Sequence, residues 1–242
     1  MKNLSFVLYL AGWIIEIYLL INLYKDPYRL YFTLLWFLSL LFMFLSFTNE
    51  AKFNISLPNI RNLLFPIFIS LIYLTINIHD ITHWYYSAIN DEYAFYYFAK
   101  SIAQGSSVNI FSQDGVYQII PVLSSFYQGT MMKILGVDNF GWKVSIILLV
   151  AISLIPFYLM IKSRFNQLVA SSAIITLAFA HYLWAYSHTG YSNIESVAIS
   201  IFSFYFFIKG FYEKSRINLF LGGVFAGLGF YTFFSSRTII VV

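Results

Sequence analysis

Two adjacent carboxylates, Asp91 and Glu92, are the best candidates for acid–base chemistry in this chain. They lie in a polar stretch, residues 79–141, between strongly apolar segments. A carboxylate held beside an acceptor hydroxyl or amine can remove its proton as a general base. The competing interpretation is structural, because Asn90 can cap a helix and acids in the first turn offset the helix dipole. The stretch holds half of the chain's ten acidic residues: Asp80, Asp91, Glu92, Asp114 and Asp138.

Other polar residues stand near the ends of apolar segments. His188, Asn193 and Glu195 lie close together in sequence, but their spacing matches no metal-binding helix motif, so polar packing is the simpler interpretation. Arg237 follows an apolar run and either snorkels to the interface or binds a phosphate. Glu16 interrupts the first apolar run, where an acid needs a partner or a wet cavity.

The composition defines the class of protein. The chain has 242 residues, of which 60% are hydrophobic and only 10% charged, which predicts a polytopic helical membrane protein. The net charge of +4 comes from scattered single cations, so no nucleic-acid partner is expected. Cysteine is absent, which excludes disulfides, thiol catalysis and cysteine-ligated metals.

Seven apolar runs are long enough to cross a bilayer. Consecutive runs that are joined by short connections are expected to form antiparallel helices. Lysine and arginine counts favour a cytoplasmic N-terminus and place the acidic stretch outside. Residues 1–62 are expected to form two N-terminal spans and a cytoplasmic loop, and 63–242 the main membrane domain. Because the chain ends inside an apolar run, a longer protein is expected. The runs are 4–24, 30–48, 63–79, 142–161, 168–184, 192–212 and 217–236.

The acidic stretch contains two further helices by pattern. Apolar residues recur at helical spacing over 91–104, and a second segment covers 122–135. Both are predicted to lie in the interface plane as amphipathic helices. The expected fold is therefore an all-α, polytopic transmembrane bundle of about seven spans with an external loop. Gly223 and Gly227, with Gly229 beyond, additionally predict a close-packing helix face.

Four segments in the right order resemble the GT-C glycosyltransferases of family 39, which include dolichyl-phosphate-mannose protein mannosyltransferases and aminoarabinose transferases. In that family an Asp-Glu pair opens an amphipathic helix in the first external loop. The resemblance covers about residues 75–240, and residues 1–60 look like two additional spans. The matching segments are Asn90–Gly105, Pro121 with Leu135–Lys143, Ser187–Asn193, and Gly227–Thr232 with Ser235–Arg237.

The resemblance implies a transfer of sugar from a polyprenyl-phosphate donor to a protein, lipid or glycan acceptor on the outer face of a bacterial or archaeal plasma membrane. Asp91 is the implied catalytic base and Glu92 its support. Cations stabilise the leaving phosphate. Ala94 and Ile120 replace basic residues of the aminoarabinose subgroup, which leaves phosphate binding to Lys143, Arg237 or the expected C-terminal continuation of the chain. His188, Asn193 and Glu195 complete the candidate substrate-binding set.

Three questions stay open at the level of sequence. No cofactor is implied with certainty, and a divalent cation remains an option. A transporter or flippase that uses Glu16 and the loop acids is the main alternative, although inverted repeats typical of transporters are not evident. A non-catalytic membrane scaffold is the third interpretation, and it predicts that Asp91→Asn has no effect.

Overall fold

The structure is a computed structural model, and it describes residues 2–23, 30–50, 58–79, 81, 90–112 and 114–240. The chain is all-helical in these ranges. Asp80, the segment 82–89 and residues 51–57 of the predicted cytoplasmic loop lie outside the described residues. The helices are α1 Lys2–Leu23, α2 Leu30–Glu50, α3 Ile60–Ile78, α4 Asn90–Ala103, α5 Val122–Leu135, α6 Asn139–Arg164, α7 Gln167–Ala178, α8 His181–Thr189, α9 Asn193–Glu213 and α10 Arg216–Phe230.

Five of the described helices are long and apolar enough to cross a membrane: α1, α2, α3, α6 and α9. The run predicted at 168–184 is instead two helices, α7 and α8, which meet at an angle of 44°. No proline or glycine marks this break. It directs Ser187 of α8 inward, where its hydroxyl lies 2.5 Å from the Tyr73 hydroxyl of α3.

The run predicted at 217–236 also ends early. Helix α10 stops at Phe230 and gives way to a 3₁₀ segment, Phe234–Ile240. The Thr232 hydroxyl donates to the Gly229 carbonyl at 3.0 Å, and the Ser236 hydroxyl donates to the same oxygen. These hydroxyls satisfy a carbonyl that a continuing helix would have paired, so the sequence Thr-Phe-Phe-Ser-Ser terminates the helix locally.

Helix α6 is the centre of the bundle, and it packs against α3, α5, α7 and α9. Its buried side chains include Ile146, Ile147, Val150 and Leu154, each no more than 1% exposed. Asp138 caps its first turn, because Oδ1 accepts a hydrogen bond from the Gly141 amide at 2.9 Å. Lys162 and Arg164 lie in its last turn, where cations complement the helix dipole.

Helices α1 and α2 form a hairpin beside this bundle. Gly12 permits the close approach, since a Cβ there would lie 2.7 Å from Cγ of Met43. Glu16 has a partner on the facing helix: the Ser39 hydroxyl donates to its Oε1. The predicted mid-span acid is thus hydrogen-bonded between two helices, which reduces its cost in an apolar environment.

The hairpin contacts the rest of the chain through aromatic rings. Phe47 of α2 packs against Phe220 of α10, with ring centroids 5.5 Å apart. Near the other end of α2, Trp36 meets Phe111 of the polar loop at 5.1 Å.

The two helices predicted in the acidic stretch are confirmed at almost the predicted bounds, as α4 and α5. They cross at Gly129, where a Cβ would lie 2.6 Å from the Ala99 carbonyl oxygen. Only glycine fits at this crossing, because any side chain would clash with the backbone of α4. Their orientation relative to the bilayer stays a prediction.

The predicted glycine face on α10 is wrong at Gly223 and Gly227, whereas Gly229 does pack closely, since a Cβ there would lie 3.2 Å from Cβ of Ser236. A Cβ at Gly223 or Gly227 would meet no atom within 4 Å, whereas one at Gly222 would lie 2.8 Å from the Phe207 ring of α9. The close approach of α9 and α10 therefore uses Gly222, together with Gly210 of α9 against Leu219.

Candidate functional site

Helix α4 carries both candidate carboxylates in its first turn. Its apolar residues follow a helical period and are buried: Phe95 and Ala99 are not exposed at all, and Ile102 is 4% exposed. This face packs against α5 and Trp142 of α6. Asp91 and Glu92 occupy the first turn and Lys100 the last, so the charges at both ends interact favourably with the helix dipole. The predicted first-turn acids are confirmed, while the Asn90 side chain lies outside the described part of the chain.

Asp91 is exposed, and a tyrosine from the following loop fixes it. The Tyr117 hydroxyl donates to Oδ1 of Asp91 at 2.8 Å. Tyr117 and Gln118 both adopt left-handed backbone conformations, with φ of 57° and 58°. Such conformations cost energy outside glycine and are concentrated at functional sites.

The loop that carries Tyr117 is held by its own backbone. The Gly115 amide donates to the Ile120 carbonyl at 3.1 Å, and the Gln118 amide donates to the Gly115 carbonyl at 3.0 Å. A Cβ at Gly115 would lie 2.4 Å from the Ile120 oxygen, so only glycine permits this closure. The strain at Tyr117 is thus maintained by surrounding structure.

Glu92 differs from its neighbour in burial and in charge environment. It is 3% exposed, and Lys143 at the start of α6 is 5% exposed. The two side chains lie close enough for their charges to interact. A buried charge is tolerated when an opposite charge accompanies it, so this pair supports the first turn of α4 against α6.

Asp91 and Glu92 line a cavity of about 410 Å³ between α4, α8 and the start of α9. Tyr191 closes part of it, and its ring packs edge-on against Phe95 at 4.9 Å. Burial raises the pKa of Tyr191, and the negative charges of Asp91 and Glu92 add to this effect. The remaining wall residues are Ala185, Tyr186, Thr189 and Asn193.

The turn between α8 and α9 depends on Gly190. This residue is left-handed, with φ of 68°, and a Cβ there would lie 2.8 Å from the Trp142 ring. Its carbonyl accepts a hydrogen bond from Nε2 of Gln128 on α5 at 2.9 Å. Because Trp142 also packs against Tyr96 of α4, at 5.5 Å, the turn connects three helices around the cavity.

The structure brings only part of the predicted set into the cavity. Asp91, Glu92 and Asn193 line it, whereas Lys143, His188, Glu195 and Arg237 are not among its lining residues. His188 is fully buried on α8, with Nδ1 2.8 Å from the Trp184 carbonyl.

The two remaining predicted residues are placed as follows. Glu195 is 1% exposed, and its Oε1 is buried without a hydrogen-bond partner among the described residues. Arg237 stacks its guanidinium 4.8 Å from the centre of the Phe234 ring. Its Nε is buried and has no hydrogen-bond partner among the described residues.

Sequence reasoning missed the tyrosines of the site. Tyr191 follows Gly190 inside the Ser187–Asn193 segment that carries the family resemblance, so a signal for it existed. No sequence signal indicated Tyr117, because it reaches Asp91 across 26 positions through a strained loop. As for metals, the described residues contain no group of three or more histidine, aspartate and glutamate side chains able to hold an ion.

Taken together, these features describe an integral, multi-pass helical membrane protein with a carboxylate-lined cavity at one end of its long helices. The family model described as dolichyl-phosphate-mannose-protein mannosyltransferase matches residues 120–241, half of the chain. The chain belongs to this family, and it is a membrane glycosyltransferase of the GT-C type. No curated protein and no solved structure matches it.

The matched segment covers Trp142, Gly190, Asn193 and Arg237, and it begins after Asp91 and Glu92. The two carboxylates are therefore assigned to the site because they line the cavity, and the family match does not cover them.

Proposed function

We propose that the chain transfers a sugar from a polyprenyl-phosphate donor to a hydroxyl or amine acceptor at the outer face of a bacterial or archaeal plasma membrane. The observation that carries this proposal is Asp91, an exposed carboxylate that lines a cavity of about 410 Å³ and is fixed by Tyr117. A general base must be both accessible and oriented, and Asp91 meets both requirements. Membership of a mannosyltransferase family supports the reaction class.

In the proposed reaction the acceptor oxygen or nitrogen attacks the anomeric carbon as the bond from that carbon to the phosphate oxygen breaks. The configuration at the anomeric carbon inverts. Asp91 takes the proton of the acceptor, and the polyprenyl phosphate leaves with the electron pair. The amide of Asn193 on the cavity wall is a hydrogen-bond partner for donor or acceptor hydroxyls.

The two cations of the predicted set take different roles in this proposal. The Nε of Arg237, buried without a described partner, is a donor that a phosphate oxygen can satisfy. Lys143 is buried beside Glu92, so we assign it to holding that carboxylate and not to the phosphate. Glu92 in turn fixes the first turn of α4, from which Asp91 projects.

The experiment is sugar transfer from a labelled polyprenyl-phosphate donor, measured in membranes that contain the full chain at equal expression. Asp91→Asn keeps the shape of the side chain and removes the base, so transfer should fall by roughly 10²-fold or more. Asp114→Asn is the matched control: it is the same change at another exposed carboxylate of the same loop, and transfer should stay within about twofold of wild type.

If Asp91→Asn is as active as wild type, the base is misassigned while the family stands. If transfer occurs from no donor while the purified chain moves a polar lipid-linked sugar across vesicles, the transporter interpretation replaces the transferase.

A further inference from the structure

A second pocket, of about 290 Å³, lies at the opposite end of the long helices from the Asp91 cavity. The two lie at opposite ends of helix α6: the charge of Lys143 near its start interacts with that of Glu92, and Lys162 near its end lines the second pocket. Nineteen helical steps separate these lysines by roughly 28 Å, close to the thickness of the hydrocarbon core. The pocket therefore belongs to the other leaflet.

Three cations from two helices converge on this pocket: Lys162 and Arg164 of α6 and Lys209 of α9. A single acid, Glu213, also lines it, and its Oε2 lies 3.5 Å from the Asn218 amide nitrogen. The lining is therefore basic overall, in contrast to the acidic cavity at the other end.

Each cation is held in place by described neighbours. Lys162 donates to Oδ1 of Asn62 on α3 at 3.0 Å. The Arg164 guanidinium stacks on the Tyr212 ring, 3.0 Å from its centre. Lys209 Nζ lies 5.8 Å from the centre of the Tyr205 ring. These contacts position the charged groups at the pocket, where an ammonium and a guanidinium can each donate several hydrogen bonds.

The walls combine aliphatic and tyrosine side chains, which suits a ligand with one polar and one apolar end. Leu159 and Met160 contribute apolar surface, and Tyr205 and Tyr212 place rings at the level where tyrosine favours a bilayer interface. Basic pockets between membrane helices are sites where anionic lipid headgroups bind.

We propose that this pocket binds the phosphate of an anionic lipid headgroup in the leaflet opposite the Asp91 cavity. Lysine and arginine residues of the short connections at this end, including Lys214 and Arg216, identify it as the cytoplasmic end by the positive-inside rule. The bound lipid joins α3, α6 and α9 at the end remote from catalysis. This site is independent of the proposed sugar transfer.

The test uses the purified full chain in a neutral detergent, titrated with fluorescent phosphatidylglycerol and with phosphatidylcholine carrying the same chains. Wild type should bind phosphatidylglycerol at least about tenfold more tightly, because three cations line the pocket and attract the anionic headgroup. The variant Lys162→Gln/Lys209→Gln should lose this preference. The control Lys214→Gln/Arg216→Gln removes the same charge at the same end, outside the pocket, and should keep it.

A charge-conserving variant, Lys162→Arg/Lys209→Arg, separates loss of binding from loss of folding, since it should retain the preference. Equal binding of the two lipids by wild type, or equal losses in the pocket and control variants, would overturn the proposal. A competition titration with inorganic phosphate distinguishes a lipid headgroup from a soluble ligand. If phosphate displaces phosphatidylglycerol at concentrations comparable to those of the lipid, the ligand is soluble phosphate and the lipid assignment fails.

Discussion

The phenolic hydroxyl of Tyr117 donates a hydrogen bond to Oδ1 of Asp91 at 2.8 Å and thereby joins a strained loop to the first turn of α4. Only one of the two adjacent acids receives this bond. Glu92, one residue further along, is 3% exposed, and its charge interacts with that of Lys143. The environment therefore separates two chemically similar carboxylates into an accessible one and a buried one.

Tyr117→Phe should lower the turnover rate of sugar transfer by about 10-fold and leave KM nearly unchanged. A hydrogen bond to a charged group contributes on the order of 1.5 kcal/mol, and here it orients the base and does not bind substrate. Tyr93→Phe is the matched control, because Tyr93 is exposed on the same helix. A rise in KM with unchanged turnover would show that Tyr117 contacts substrate instead of positioning Asp91.

The titration of Tyr117 provides a test that does not depend on activity. Its pKa is raised above 10.0, chiefly because the Asp91 carboxylate accepts its proton in a hydrogen bond and also repels the phenolate. In Asp91→Asn the charge is lost, so Tyr117 should ionise at lower pH, closer to its ordinary value. Carbon-13 NMR of ring-labelled tyrosine can follow this, with Tyr117→Phe to assign the signal. An unchanged titration would mean that the two side chains do not meet.

The pairing of Glu92 with Lys143 predicts non-additive effects on stability. Glu92→Gln and Lys143→Met should each destabilise the chain, since each leaves the other charge buried alone. The double variant should be more stable than the sum of the two losses implies, with a coupling energy of about 1–3 kcal/mol. Unfolding in detergent measures all three. Lys133→Met, at an exposed lysine of α5, should show no coupling with Glu92→Gln; additivity in both cycles would exclude the pair.

The crossing of α4 and α5 depends on Gly129. Gly129→Ala places a methyl group 2.6 Å from the Ala99 carbonyl oxygen, so α4 must shift, at a cost of about 1–3 kcal/mol. Gly223→Ala is the control, because its Cβ meets nothing within 4 Å and alanine favours helix. The melting temperature and the rate of sugar transfer should both fall for Gly129→Ala only. Equal melting temperatures for the two variants would refute the close crossing.

The helices of the acidic stretch could be predicted from sequence because local signals agree there. Apolar spacing marks α4, Gly105 follows its end, and Pro121 and Gly136 bracket α5 with residues that stop helices. The break between α7 and α8 has no such marker. It places Ser187 against Tyr73, more than 100 positions away, and such a long-range contact is not visible in local sequence.

The candidate site shows the same division. Asp91, Glu92 and Asn193 could be selected by residue type and family pattern, and they do line one cavity. Tyr117 could not, since its approach to Asp91 requires a left-handed backbone that tyrosine rarely adopts. The choice between Gly222 and Gly223 on α10 likewise depends on helix rotation, which a glycine spacing does not define.

One continuous helix, α6, fixes the distance between the acidic cavity and the basic pocket. This distance has to match the thickness of the bilayer. The 26 residues of α6 span about 39 Å. In a membrane much thinner or thicker than the Lys143 to Lys162 separation, one end must leave its headgroup layer or the helix must tilt. We therefore expect the proposed sugar transfer at one surface to depend on the lipid chain length that separates that surface from the other.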